Sequence, residues 1–272
     1  MKLIKFLVLL ILCSGAAWAQ DRQPSHCIAL AENTHGLEYV VPASLSPVAR
    51  DQVRIHYIAH SSFLIRTHGG LNIVTDFNGF IGTAPMIPDV VTMNHAHTSH
   101  WTAAPDPAIV RVLPGWGPFG EGVKHHLDLG EVLIRNVSTD IRSQFAGIET
   151  KGNSIFVFEV AGLCIGHLGH LHHEPDAAQY AALGRLDVVM AAVDGGYTVD
   201  LPTMMRILKR LKSSVVIPMH WFSDLTLDTF LAGMRDEFAI VQDIGPSLDI
   251  SLDRLPSRPT IMVLRAEWLK AE

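Results

Sequence analysis

Three histidine-containing segments constrain the fold of this chain most, because each directly follows a short apolar run. The segments are residues 95–100 (HAHTSH), residues 167–173 (HLGHLHH) and His220, and two of the apolar runs are residues 90–93 (VVTM) and 214–219 (SVVIPM). Short apolar runs of this kind are typical of buried strands. Side chains that follow the strands of an α/β sheet meet at one edge of it. The pattern therefore predicts a sheet with a histidine-rich site at its strand ends.

The first half of the predicted domain, residues 48–150, is rich in short strand patterns. Residues 54–59 (RIHYIA) and 71–76 (LNIVTD) are separated by residues 67–70 (THGG), a turn signal that predicts a β-hairpin. Residues 131–137 (EVLIRNV) predict a further strand. This half is therefore expected to contribute mainly sheet.

In the second half, residues 151–272, strand patterns alternate with helical ones. Residues 154–160 (SIFVFEV) predict a strand, whereas residues 176–183 and 201–211 predict helices. Two halves that each place a sheet inside and helices outside form an α/β fold, here a four-layer αββα sandwich. We predict this fold for a single domain that spans residues 20–272.

The N-terminal residues 1–19 have the pattern of a secretory signal peptide. Lys2 and Lys5 precede a short apolar run, and small residues follow it up to Ala19. The apolar run is much shorter than the roughly 20 residues that a membrane-spanning helix needs. We expect cleavage near Ala19, no stable membrane insertion afterwards, and a periplasmic or secreted protein.

Composition limits the partners of the mature chain. In the full sequence, acidic residues outnumber basic ones by 27 to 21, and loss of Lys2 and Lys5 with residues 1–19 changes the formal net charge from −6 to −8. This balance argues against nucleic acid as a partner, because nucleic-acid-binding surfaces are basic. We expect a small-molecule substrate, and the sequence leaves the oligomeric state open.

Two cysteines, Cys27 and Cys164, follow the predicted signal peptide. An exported protein can form disulfides, so a single disulfide between these two cysteines is one alternative. Cys164 lies in the apolar sequence AGLCI, however, and a free buried cysteine that acts as a small hydrophobic residue is the favoured interpretation.

The histidines have the spacing of metal ligands. In an extended segment, side chains two residues apart point to the same side, so His95 and His97 can hold one ion while His100 faces another. His167 and His170 start the second segment. Imidazole is a usual ligand of zinc and also suits iron. The sequence therefore predicts a site for one or two ions, with zinc favoured and iron or manganese as alternatives.

Five segments together resemble the metallo-β-lactamase superfamily, in particular its branch of ascorbate-phosphate-lactonase-like and phospholipase-D-like hydrolases. Residues 95–100 are similar to the signature H-x-H-x-D-H, and residues 167–170 (HLGH) to H-x-G-D. Residues 58–65 (IAHSSFLI), 73–76 (IVTD) and 218–220 (PMH) resemble the opening strand, the aspartate-ending strand and the last ligand. The resemblance covers nearly the whole mature chain and implies a metal-dependent hydrolase.

The resemblance also implies a division of the ligands. His95, His97 and His167 would hold the first metal, while His100 and His220 would hold the second. The reaction it implies is attack by a metal-bound hydroxide on an ester, lactone, amide or phosphoester.

Two positions depart from the family pattern. The signature aspartate is Ser99 here, and the carboxylate that bridges the two metals is His170. Either His170 joins His100 and His220 on the second metal, or that second site is weak or empty. Asp194 could return a carboxylate to the site and assist the water, or it could simply form a turn before two glycines.

Four further residues are expected to lie behind the ligands. The resemblance places His60 and Asp76 at positions that orient the metal-binding imidazoles of the family. Ser99, which directly precedes His100, is expected in the same supporting layer. His172 and His173 are neighbours that diverge in any regular structure, and His173 is the one placed in this supporting layer.

Two other classes of function stay open at this point. An all-histidine ligand set tolerates redox metals, so an iron-dependent oxidoreductase on the same fold is one alternative. A periplasmic protein that binds metal without turnover is the other.

Overall fold

The computed structural model describes most of the chain. It covers residues 25–28, 45–95, 97–118, 120–143 and 147–271. The signal peptide predicted over residues 1–19 lies outside the described residues.

Six strands form the first sheet. They are β1 (Gln52–Ala59), β2 (Ser62–Arg66), β3 (Asn72–Thr75), β4 (Val90–Met93), β5 (Arg111–Pro114) and β13 (Ser247–Ser251). Their order is β13-β1-β2-β3-β4-β5, antiparallel from β13 to β3 and parallel from β3 to β5. The predicted turn at residues 67–70 joins β2 to β3, whereas β1 pairs with the other edge of β2. The hairpin therefore exists, but residues 62–66 form its first strand.

Eight strands form the second sheet. They are β6 (His126–Asp128), β7 (Val132–Arg142), β8 (Ile148–Val160), β9 (Leu163–His167), β10 (Val188–Ala192), β11 (Val215–Met219), β12 (Ala239–Val241) and β14 (Thr260–Met262). Their order is β12-β14-β11-β10-β9-β8-β7-β6, and the strands from β9 to β12 run parallel. Residue 150, the predicted boundary between the two halves, lies within β8. The eight-stranded sheet includes β6 and β7 from the first half, and the six-stranded sheet includes β13 from the second half.

Three α-helices and one short 3₁₀ helix accompany the sheets in the described part of the chain. They are α1 (Ala177–Leu183), α2 (Leu201–Leu211), α3 (Asp224–Met234) and η1 (Leu252–Arg254). Side chains of Asp176, Asp200 and Ser223 cap the three α-helices by accepting backbone N–H bonds in the first turn. Helix α2 coincides with the helix predicted from sequence. None of these helices has both the length and the apolar character needed to cross a membrane.

The two sheets pack face to face around one apolar core. Phe63 from the first sheet and Phe156, Ile165 and Met190 from the second are fully buried there. Burial of such side chains contributes about 1.5–3 kcal/mol each to folding relative to full exposure. This core holds the strand ends of both sheets in fixed positions relative to each other.

The outer faces of the sheets are covered in different ways. Helix residues such as Met204, Ile207 and Phe230 pack on the eight-stranded sheet. On the six-stranded sheet, loop residues Phe77 and Ile109 complete the apolar cluster, to which no described helix contributes. The α/β sandwich predicted from sequence is thus confirmed, with a helical layer on one side and a loop layer on the other.

A disulfide joins Cys27 to Cys164 at the start of β9. Both residues belong to the cluster between the eight-stranded sheet and its helices, and the Cys27 carbonyl accepts the Arg185 N–H at 2.7 Å. The expectation of a free buried Cys164 was therefore wrong. The sequence showed the burial of Cys164 but not that a segment 137 residues away completes the same cluster.

Candidate metal centre

The strand ends bring four histidines together. His97 and His100 lie in the loop after β4, His170 lies in the loop after β9, and His220 directly follows β11. One ring nitrogen from each of the four lies within 4.8 Å of the corresponding nitrogens of the other three. The first pair comes from the six-stranded sheet and the second from the eight-stranded sheet, so the cluster spans the two.

The spacing of these nitrogens suits a single metal ion. Nε2 of His100 lies 3.2 Å from Nε2 of His220, and Nε2 of His97 lies 3.0 Å from Nε2 of His170. Tetrahedral zinc with Zn–N bonds of about 2.0–2.1 Å places its nitrogen ligands about 3.3 Å apart. The cluster has nearly these dimensions, and the donor set fits a metal ion.

Two carboxylates orient the imidazoles from behind. Nδ1 of His100 hydrogen-bonds to Oδ2 of Asp76, and Nδ1 of His220 hydrogen-bonds to Oδ2 of Asp194 at 2.9 Å. A carboxylate on one ring nitrogen holds the proton there and leaves the other nitrogen free as a metal ligand. The predicted supporting position of Asp76 is therefore where the structure places it.

Asp194 combines the two interpretations that the sequence left open. Its Oδ1 accepts the backbone N–H groups of Gly196, Tyr197 and Thr198, which makes it a turn former. Its Oδ2 faces the distal nitrogen of His220 and does not face the interior of the cluster. Burial acts to raise the pKa of Asp194, but the bonds from His220 and the loop outweigh it and hold the pKa below its usual range.

We expect Asp194→Asn to weaken zinc affinity by about 10–100-fold, because loss of such a carboxylate removes the group that orients and polarises a ligand imidazole. Isothermal titration calorimetry with zinc measures this. Asp128→Asn is the matched control, since Asp128 also accepts a loop N–H, from Gly130 at 2.8 Å, but belongs to the distant β6. Equal affinities for both variants and the wild type would contradict the orienting role.

Burial favours the neutral form of three histidines of the centre, His97, His100 and His170, and of the adjacent His60. It is the largest cause that lowers the pKa of His100 to about 2 and that of His60 to about 3, and it also lowers the pKa of His97 and His170. Only a neutral imidazole can bind a cation. Burial also raises the pKa of Asp76, and a cation in the cluster would favour its charged form.

The structure does not bring two of the six predicted ligands into the cluster. Nδ1 of His95 lies 3.2 Å from Oε1 of Glu149, and its ring stacks on Trp116 at 4.9 Å between centroids. His167 is fully buried, and its Nε2 is hydrogen-bonded to the carbonyl of Ser61 at 2.8 Å. The other four, His97, His100, His170 and His220, form the cluster.

The supporting histidines also differ from the expectation. The His60 ring lies 4.1 Å from the His220 ring, and the His60 carbonyl accepts the His220 N–H at 2.9 Å. Nε2 of His173 is buried without a hydrogen-bond partner among the described residues, whereas Nε2 of His172 lies 2.7 Å from Nδ1 of His170. His172 therefore takes the place behind His170. Its spacing of two residues from His170 was the available signal.

Ser99 stands behind His97. Oγ of Ser99 lies 2.6 Å from Nδ1 of His97, on the side of the ring away from His170. Ser99 therefore lies behind the His97 ring, and its role in supporting a metal ligand stays a prediction. A hydroxyl there supports a ring nitrogen without adding charge.

Two buried asparagines that sequence reasoning missed hold the loop of His170. Oδ1 of Asn153 accepts the His170 N–H at 3.1 Å, and Nδ2 of Asn94 donates to the carbonyl of Ser154 at 3.2 Å. Gly169 lies against both asparagines with a φ of +62°. No pattern near His170 could reveal these residues, because Asn153 lies on β8 and Asn94 directly follows β4.

We expect Gly169→Ala to displace His170 and to lower stability by about 1–3 kcal/mol, since a Cβ there would lie 1.6 Å from Nδ2 of Asn94. Gly130→Ala separates this contact from backbone strain, because Gly130 also has a positive φ, +83°, but nothing lies within 4 Å of its Cβ position. Chemical denaturation measures the loss of stability in both variants, and imidazole NMR measures the displacement of His170. The contact is not decisive if the two variants behave alike.

A cavity of about 410 Å³ lies beside the cluster. His97 and His170 form part of its wall, together with Arg142, Glu149 and Tyr197. Its size suits a small molecule, and it gives such a molecule access to the histidine nitrogens.

The α/β sandwich and the histidine centre at its strand ends define a class of metal-binding protein. Residues 54–220 match the family model described as the beta-lactamase superfamily domain, which is more than half of the chain. The chain therefore belongs to the beta-lactamase superfamily. This confirms the superfamily resemblance seen in the sequence.

Relatives extend over most of the chain. A metal-dependent hydrolase of Methanosphaerula palustris is 24% identical over 229 residues, which cover 78% of this chain and 100% of the relative. A Thermotoga maritima structure of the metallo-beta-lactamase superfamily, designated provisionally as a zinc-dependent hydrolase, is 25% identical with a TM-score of 0.56 and covers 79% of this chain and 100% of its own. A metallo hydrolase from Ignicoccus hospitalis, 17% identical with a TM-score of 0.50, covers 68% of this chain and 91% of its own and shares the fold.

Proposed function

We propose that this chain is an exported metal-dependent hydrolase that acts on a small-molecule ester, lactone, amide or phosphoester. The observation that carries the proposal is the cluster of four histidine nitrogens within 4.8 Å, backed by carboxylates. The metal-dependent hydrolase designations of the relatives from Methanosphaerula palustris and Salinibacter ruber support it.

Zinc is the proposed metal. Neutral imidazoles are common zinc ligands, and the described centre contains no soft sulfur donor. When bound, a zinc ion polarises a substrate oxygen and lowers the pKa of water. The chain itself holds the ligand rings in place, through Asp76 behind His100 and Asp194 behind His220.

Two exposed aromatic side chains near the cluster favour a substrate that has an apolar portion. The Phe222 ring lies 5.1 Å from the His220 ring and 5.3 Å from the Tyr197 ring, and both aromatic side chains are more than half exposed. Tyr197 also forms part of the cavity wall. Exposed aromatic groups at a polar site are suited to bind an apolar or planar part of a ligand.

Export is supported by two independent features. The sequence of residues 1–19 has the signal-peptide pattern, and Cys27 and Cys164 form a disulfide. Disulfides persist mainly in oxidising compartments such as the periplasm. Fractionation of cells that express the full-length chain, with mass spectrometry of its N-terminus, tests cleavage near Ala19.

The function is tested on the purified mature chain. Metal analysis and assays with ester, lactone, amide and phosphodiester panels are run before and after chelation and zinc return. We expect zinc-dependent hydrolysis of at least one class. Tight metal retention without turnover would instead favour a binding protein, and iron with a reductant-sensitive absorption band would favour an oxidoreductase; either result contradicts the proposal.

A further inference from the structure

Three of the clustered histidines share one hydrogen-bond arrangement. His100 and His220 turn Nδ1 towards carboxylates, which accept and do not donate when charged. His97 turns Nδ1 towards the Ser99 hydroxyl at 2.6 Å. A neutral ring with its proton on Nδ1 presents the lone pair of Nε2 to the interior of the cluster, as a metal ligand must.

His170 has the opposite arrangement. Its Nδ1 lies 2.7 Å from Nε2 of His172, and Nδ1 of His172 lies 2.6 Å from the backbone nitrogen of Arg142. A backbone N–H can only donate, so Nδ1 of His172 accepts. A neutral His172 therefore carries its proton on Nε2 and donates it in a hydrogen bond to His170.

This direction fixes the proton on the fourth ring. With Nδ1 of His170 engaged as an acceptor, the proton of a neutral His170 lies on Nε2, which faces the cluster. In the protein without metal, Nε2 of His97, 3.0 Å away, accepts it, and His97 in turn donates from Nδ1 to Ser99. In this series of hydrogen bonds, from the Arg142 amide to the Ser99 hydroxyl, each contact has one donor and one acceptor.

We infer that His170 is a hydrogen-bond donor to the substrate and not a metal ligand, and that the centre holds one ion on His97, His100 and His220. His172 is the positioning residue that sets the orientation of the His170 proton. The inference rests on the proposed metal-dependent function and deepens it.

The resemblance implies a carboxylate at position 170, and the histidine found there has different chemistry. A carboxylate at this position can bridge two cations, whereas a ring that presents N–H to the centre can bridge none. With three histidine ligands, a tetrahedral ion keeps a fourth position open. The N–H of His170 points into the cluster and would be available to donate to a substrate oxygen as negative charge develops on it.

Imidazole NMR tests the proton position without any substrate. Two-bond ¹⁵N–¹H correlations on the mature chain are expected to show His170 with its proton on Nε2, both before and after addition of zinc. A proton on Nδ1 of His170 in the zinc-loaded protein would overturn the inference, because Nε2 would then be a ligand.

Zinc titration of variants provides a second readout. His170→Gln is expected to keep one zinc equivalent with affinity within about tenfold of wild type, whereas His97→Ala loses about 100-fold or more. His172→Ala frees Nδ1 of His170 to take the proton and makes Nε2 available as a fourth ligand. We therefore expect His172→Ala to raise zinc affinity by about tenfold while turnover falls. A purely structural role of His172 would lower both.

The outcomes separate the inference from the proposed function. His126→Ala, on the exposed side of β6, is the control variant and should match the wild type. Two zinc equivalents in the wild type, or equal losses in His170→Gln and His97→Ala, overturn the inference and leave a zinc-dependent hydrolase standing. A wild type that binds zinc as inferred but hydrolyses nothing overturns the proposed function alone, and a wild type that binds no zinc overturns both.

Discussion

His100→Ala should reduce kcat/KM by about 10³-fold or more, because metal polarisation of a substrate is worth several kcal/mol and each 1.36 kcal/mol is tenfold in rate. His100 is fully buried, contacts both Asp76 and Ser61, and lies in the middle of the cluster. The variant should also bind less than one zinc equivalent under conditions that saturate the wild type. Steady-state kinetics and metal analysis on the same samples measure both losses.

His126→Ala is the control for the removal of a histidine as such. His126 is an exposed residue on β6, at the edge of the eight-stranded sheet. Its loss should leave metal content and kcat/KM unchanged. If His100→Ala keeps both its zinc and its activity, the metal centre is assigned to the wrong residues.

Cys27→Ala should lower the free energy of unfolding by about 2–5 kcal/mol, because a cross-link between residues 137 apart restricts the unfolded chain strongly. For a protein of this size the expected fall in Tm is roughly 5–20 °C. Thermal unfolding of the chelated protein measures the effect without a contribution from bound metal, which itself stabilises the folded state.

Reductant provides the matched comparison for this variant. Reduced wild type should unfold near the temperature of Cys27→Ala, and reductant should leave the variant itself unchanged. A wild type whose Tm is insensitive to reductant and equal to that of the variant would show that the cross-link contributes nothing to stability.

The position of the site could largely be predicted from the sequence, because the ends of neighbouring strands in an α/β sheet lie close together whatever the conformation of the loops that follow them. Each of the apolar runs before His97, His170 and His220 became a strand, namely β4, β9 and β11. The helix predicted over residues 201–211 also formed with those bounds. Local patterns decide such elements, since burial and periodicity are properties of neighbouring residues.

His95 lies outside the cluster, although the sequence predicted it as a ligand. The prediction assumed an extended segment, in which His95 and His97 share one side. The chain instead turns there, with the His100 N–H donating to the His97 carbonyl at 3.0 Å and the Asn94 N–H to the His100 carbonyl at 3.1 Å. His95 therefore points towards Glu149, a residue whose proximity no local pattern could reveal.

The partners of Cys27 and Asn153 also lie far from them in the sequence and could not be predicted from local patterns. Cys27 meets Cys164, and Asn153 supports His170, only because the sheets are assembled. A single sequence gives the chemistry of such residues but not their partners. Tertiary contacts of this kind decide which of several candidate histidines can serve a metal.

The division of the centre between two sheets makes the ion a mechanical part of the fold. His97 and His100 follow a strand of the six-stranded sheet and His220 follows one of the eight-stranded sheet, so a single ion on all three would link the two sheets. Zinc should therefore slow amide hydrogen exchange in β4 and β11 together, although these strands share no hydrogen bond.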